Sequence, residues 1–191
     1  MAFSSSNCNP IYEPIVDSGN HHSLIAHSTS GNDAVQSLRV TATRAGRLEV
    51  RYLLDGDISS LKIPALSNPQ RHDNLWRHTC GEMFIGIAGC DRYCEFNFSP
   101  SSEWAAYEFD GYRQGMRPFA CEQPEIKVAQ NDNQWMLVAN VVLPKWLEPP
   151  KLHLGLSMVI ENNSGHCSYW ALHHAADQPD FHRRESWRIV L

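Results

Sequence analysis

"SLRVTATRAGRLEVRYLLDGD", residues 37–57, alternates apolar and polar residues twice, once on each side of Ala45-Gly46. Leu38, Val40 and Ala42 share one side of the first run, and Leu48, Val50, Tyr52 and Leu54 share one side of the second. A period of two belongs to a half-buried strand, because successive side chains on a strand point to opposite faces. Two such runs around a small-residue turn read as a β-hairpin. The same grammar recurs through the rest of the chain, and that recurrence decides the fold.

Beyond a proline-containing loop (Pro64, Pro69), "LWRHTCGEMFIGIAG" sets Met83, Ile85 and Ile87 on one face. "YCEFNFSP" then turns Phe96 and Phe98 inward before Pro100. "EWAAYEFDGYRQG" fits either a strand or a loop with a helical turn. "EIKVAQ" and "QWMLVANVVLP" flank Asn131-Asp132-Asn133, a turn composition. "KLHLGLSMVIE" and "CSYWALHH" flank "NNSG", and Leu152, Leu154, Leu156, Met158 and Ile160 face one way along the first of them. "SWRIVL" reads as a closing strand, and no stretch carries the period of a helix. Roughly nine or ten short strands at regular spacing predict an all-β fold, a single-domain antiparallel β-sandwich over residues 35–191. The first 34 residues, rich in Ser, Asn and His, read as an irregular arm.

Bulk composition narrows the function. A 191-residue chain with 42% apolar and 19% charged residues is an ordinary globular protein. A net charge of −5, with 16 scattered Lys and Arg, speaks against a nucleic-acid surface, which needs clustered cations. No apolar run reaches a membrane span. The start of the chain shows neither a basic n-region nor an apolar h-region, which points to a cytoplasmic address. The six cysteines (Cys8, Cys80, Cys90, Cys94, Cys121, Cys167) form no C-x-x-C pair and read as structural thiols, "CDRYC" at 90–94 included.

Three features remain for chemistry. "HHAADQPDFH" (173–182) lacks the helix that lets spaced histidines share a metal, and His173 and His174 would leave a strand on opposite faces. It therefore reads as a solvated loop, with Trp170 and His173 at the rim of a ligand site, and no metal ligand is assigned. If Met83, Ile85, Phe96 and Phe98 face the core, parity turns Glu82, Glu95 and Asn97 together onto the outer face of the same sheet. Trp76 lies just before the strand bearing Glu82, while Trp104, Tyr107, Trp170 and Phe181 fall in loops or near strand ends; Tyr52, Trp135 and Trp187 read as packing. Flat aromatic faces with carboxylate and amide groups at the edge suit a sugar ring, which offers C–H bonds on its face and hydroxyls around its rim.

"LWRHTCGEMFIG" (75–86), "YCEFNFSPSSEWAAYEFDGYRQGMR" (93–117) and "SYWALHHAADQPDFH" (168–182) together resemble the bacterial DOMON-like proteins, which are related to the family-nine carbohydrate-binding modules. The resemblance covers about residues 35–191 and implies an antiparallel β-sandwich without catalytic chemistry. Family-nine modules bind sugars between two tryptophans beside a glutamate. The resemblance puts the first tryptophan at Trp76, the glutamate at Glu82, a sugar-contacting sheet position at Asn97 where an arginine is usual, and the second aromatic at Phe181. The reading is thus a non-catalytic binding module, a small carbohydrate first, with a haem-binding DOMON module or a protein-interaction domain lacking a small ligand as alternatives. Other DOMON sandwiches bind haem b through a methionine and a histidine or lysine; Met83, Met116, Met136 and Met158 are present, and no axial pair is placed. Calcium, bound by some family-nine modules, has no acidic loop dense enough to name.

Overall fold

The computed structural model describes residues 21–31, 34–148 and 151–191. Two antiparallel sheets are stacked face to face. In the first, β1 (His22–Ser23), β3 (Val35–Ala45), β4 (Arg47–Gly56), β10 (Gln134–Val141) and β9 (Glu125–Gln130) follow in that order. The second runs β2 (Ile25–Ala26), β12 (Cys167–Ala171), β11 (Leu152–Glu161), β5 (Cys80–Ile87), β6 (Tyr93–Phe98), β7 (Trp104–Phe109) and β8 (Arg117–Pro118). A last strand, β13 (Ile189–Val190), pairs with the far end of β11. The regular structure is therefore an all-β sandwich, as the alternation requires, with only short 3-10 turns beside the strands among the described residues. None of their helices is long and apolar enough to cross a membrane.

The deciding hairpin forms where the sequence put it. Ala45 pairs with Arg47 across Gly46, whose φ of +79° is a conformation glycine adopts without a Cβ clash. Leu38, Val40, Leu48, Val50, Tyr52 and Leu54 all face the second sheet. They meet Met83, Ile85, Phe96, Phe98, Leu154, Leu156 and Met158 in one core, which Trp135 and Leu137 of β10 extend. "EWAAYEF" resolves as strand β7. The irregular reading of residues 1–34 is corrected at its end: His22–Ser23 and Ile25–Ala26 are short strands on the edges of the two sheets, while residues 1–20 lie outside the described ones. "SWRIVL" contributes only two strand residues, because Arg184–Ser186 forms a 3-10 turn before them.

One contact links this core to the outer face. The Tyr52 hydroxyl crosses from the first sheet and donates to the backbone carbonyl of Glu82, 2.7 Å away, with its ring lying over Gly81. A Cβ at Gly81 would come within 3.0 Å of that ring. The hydroxyl is fully buried, and burial pushes its pKa well up, so it stays a donor. The inner face thus fixes the backbone from which Glu82 projects outward.

Candidate functional site

Parity generates the site. Glu82 pairs with Asn97 and Phe84 pairs with Glu95 across β5 and β6, so Glu82, Phe84, Glu95 and Asn97 share the outer face. Tyr93, Ala105, Tyr107 and Phe109 join them from β6 and β7, and Val159 and Ala171 from β11 and β12. An outer face this apolar would be costly if left wet. Residues 172–188 return over it, and Phe181 and Trp187 from this strap complete a second apolar cluster. Trp187 lies stacked on Phe84 and edge-on to Tyr93, and its indole N–H donates to the Phe181 carbonyl at 3.0 Å. The strap therefore holds itself in shape while it covers the sheet.

Coverage is incomplete, and a cavity of about 810 Å³ remains, within the usual size of small-molecule sites. Glu82, Phe84 and Glu95 form its floor; Tyr107, Phe109, Tyr169, Phe181 and Trp76 supply aromatic walls. Trp76 sits on a one-turn 3-10 helix, Leu75–Arg77, entered through Asn74 in a left-handed conformation (φ 63°). Leu75 is buried as the anchor of that turn, and its neighbour Trp76 is lifted to 44% exposure. The Arg77 guanidinium lies 5.2 Å from the Trp76 ring centre.

The floor is electrostatically unusual. Glu82 is 3% exposed and Glu95 6%. Burial, and then the neighbouring Glu95, push the Glu82 carboxyl well above the ordinary carboxylate range. Burial also raises Glu95, against the opposing pull of its hydrogen bond from Asn97 and of Arg113. Asn97 Nδ2 donates to Glu95 Oε1 at 2.8 Å. Among the described residues no donor reaches the Glu82 carboxyl, which faces the cavity and is open to a partner from it.

Around this floor the remaining charges are held. His182 is enclosed by Phe84 and Phe109, with ring centres 4.9 and 5.1 Å away. Burial first, then Arg113, lower its pKa to about 4, so it is neutral at pH 7. Its Nδ1 then accepts from the Tyr93 hydroxyl at 2.7 Å, leaving Nε2–H 3.7 Å from Glu95 Oε2. Arg113 donates to Asp180 at 2.9 Å, and Tyr112 hydrogen-bonds the same carboxylate. Burial raises Asp180, but these two donors outweigh it and hold it below its usual value. At the mouth, the Tyr107 hydroxyl donates to Asp73.

The expected site residues divide. Trp76, Glu82 and Phe181 come together on the cavity. Asn97 shares their face but is fully buried behind Glu95, which it orients; it does not line the cavity. Trp170 is corrected outright: it pairs in register with Met158, faces inward, and belongs to the inter-sheet core, with its indole donating to Ser168. His173 lies in the strap away from the cavity lining. His174 bonds the Ile25 carbonyl and His182 bonds Tyr93, so those two histidines serve separate places. Among the described residues, no three His, Cys, Asp or Glu side chains gather as metal ligands. Met83 and Met158 are packed in the core, and Met116 stands at the cavity edge. Glu95 lines the cavity on the face where parity puts it, while Tyr107, Arg113 and His182 are lining residues that the sequence does not assign to the site.

An antiparallel sandwich whose outer sheet face carries a strap-covered, aromatic-walled recess is the class these elements define. No protein-family model matches the sequence, and no curated protein matches it. Solved structures do match in fold. A candidate carbohydrate-binding protein from Bacteroides uniformis superposes with a TM-score of 0.62 at 13% identity, over 88% of this chain and 84% of that one. A family-nine carbohydrate-binding module from Caldicellulosiruptor kristjanssonii, solved with cellotriose, superposes with a TM-score of 0.50 at 12% identity, over 86% of this chain and 80% of that one. At such identities the likeness establishes the fold.

Proposed function

We propose that this chain is a non-catalytic carbohydrate-binding module whose site is the strap-covered cavity. The observation that carries the reading is Glu82, a nearly fully buried carboxyl with no donor among the described residues, set in the floor of a cavity walled by Trp76 and Phe181. A sugar supplies what this arrangement lacks. Its hydroxyls donate to Glu82 and Glu95, and its C–H face stacks on the Trp76 ring. The structural neighbours support the same assignment, since one is described as carbohydrate-binding and another holds cellotriose.

Calorimetric titration with glucose and cellobiose tests it. The wild-type protein binds at least one of them, and Trp76→Ala weakens binding by roughly ten- to thirtyfold through loss of the stacking face. Trp76 is exposed and lies outside both apolar clusters, so the variant keeps a melting temperature close to that of the wild type. Wild-type affinity in Trp76→Ala, or no binding of any mono- or disaccharide, would overturn the assignment.

A further inference from the structure

The walls and floor of the cavity differ in kind, and the difference selects among sugars. Its walls are the faces of Trp76, Tyr107, Phe109, Tyr169 and Phe181. Its floor is two carboxyls on adjacent strands, diagonal to one another, one of them with no donor among the described residues. Asp73 adds a third acidic group at the mouth. The cations that line the cavity are already engaged elsewhere. Arg113 is held by Asp180 at 2.9 Å, and Arg117 by Glu108 and Asp110 at 2.8 and 2.9 Å. His182 is enclosed by Phe84 and Phe109 with its Nδ1 on the Tyr93 hydroxyl, and its depressed pKa leaves it neutral at pH 7. Arg113 still lowers both floor carboxyls through space, but among the described residues no arginine or lysine forms a salt bridge with either of them.

A neutral sugar hydroxyl offers one donor to such a floor. A protonated amine offers three donors and a full positive charge, and the surrounding ring faces stabilise that charge again. We propose that the ligand of this site carries a protonated amino group, and that its preferred sugars are therefore amino sugars with the amine free rather than acetylated. The inference rests on the carbohydrate reading above and adds the chemistry of the substituent. It also carries a proton signature. Burial raises both carboxyls and Glu95 raises Glu82 further, which favours a protonated Glu82, whereas an ammonium group favours the ionised form of both. Binding therefore releases a proton, and affinity rises with pH as long as the amine itself remains charged.

Calorimetry with glucose, glucosamine and N-acetylglucosamine, at about pH 6 and about pH 7 and in two buffers of different ionisation enthalpy, decides the matter. Glucosamine binds about tenfold tighter than either of the others, with proton release. Glu82→Gln, matched in size and checked for folding by its melting curve, brings glucosamine down to the level of glucose, and Glu95→Gln does the same. If glucose binds and glucosamine binds no tighter, the amine inference is overturned and the carbohydrate site stands. Survival of the preference in both variants overturns it as well, by removing the carboxyls from the recognition. If none of the three sugars binds, both readings fall together.

Discussion

Replacing Gly155 by alanine probes how the strap is held, because the close approach at that point is severe. Gly155 lies in mid-β11, opposite Phe84 of β5, and Trp187 of the strap sits directly on it. A Cβ there would stand 2.3 Å from Trp187 Cδ1 and 2.8 Å from its Nε1, so the indole must move. Moving it disturbs the stack on Phe84 and the hydrogen bond to the Phe181 carbonyl, and Phe181 is a wall of the cavity. Overpacking of this kind costs about 1–3 kcal/mol. The reduced freedom of the unfolded chain returns about 0.4–1 kcal/mol, leaving a net loss of roughly 1–2 kcal/mol. For a chain of this length each kcal/mol moves the melting temperature by about 2–4 °C, so a fall of roughly 2–8 °C is expected from scanning calorimetry. Sugar affinity falls with it, although Gly155 does not line the cavity. The same change on a Trp187→Ala background costs much less, because the clashing ring is gone, and the coupling between the two sites should be on the order of 1 kcal/mol. A Gly155→Ala protein with wild-type melting and wild-type sugar affinity would refute the view that Trp187 fixes the strap over the site.

Three further outcomes follow from the same geometry. Glu82 has a folded-state pKa raised by burial and by Glu95, so the native chain holds a proton that the unfolded chain releases; its effect is that stability declines as pH rises from about 4.5. Urea unfolding across that range should show wild type losing stability relative to Glu82→Gln as pH increases, and parallel curves would contradict the assignment of a raised carboxyl. His182 acts in the opposite sense: its folded value lies below its ordinary 6.5, so stability is lost as pH falls from 6.5 toward about 4. Its imidazole resonances should titrate near pH 4 by NMR, and a midpoint near 6.5 would show a solvated ring. Trp170→Phe should lower stability by about 1–3 kcal/mol as a core truncation with sugar affinity unchanged; an affinity loss without destabilisation would return Trp170 to the site.

Most of the sandwich is legible because its strands announce a period of two, and the parity of Met83 with Phe96 was enough to bring Glu82, Glu95 and Asn97 to one face. Parity along β12 likewise places Trp170 opposite Met158 and hence in the core, although the polar loop that follows suggests a rim position. Tyr107 carries no such signal. Ala105, Ala106, Tyr107 and Phe109 are apolar on both sides because both faces of β7 are covered, and a strand buried twice loses its alternation. The cover itself left little trace. Residues 172–188 have no regular period, and what holds them is long-range: Trp187 on Gly155, Arg113 on Asp180, His182 on Tyr93. Their polar composition reads as a wet loop, and only packing against the outer sheet turns that loop into the roof of a site.

Entry of a sugar between Trp76 and the carboxyl floor can be followed through the indole N–H signals in a nitrogen–proton NMR spectrum during sugar titration. The Trp76 indole signal should move in a saturable way, while those of Trp104, Trp135 and Trp170, which face the inter-sheet core, stay in place. Saturable movement of the core indoles with Trp76 unmoved would place the ligand elsewhere in the fold and contradict the site.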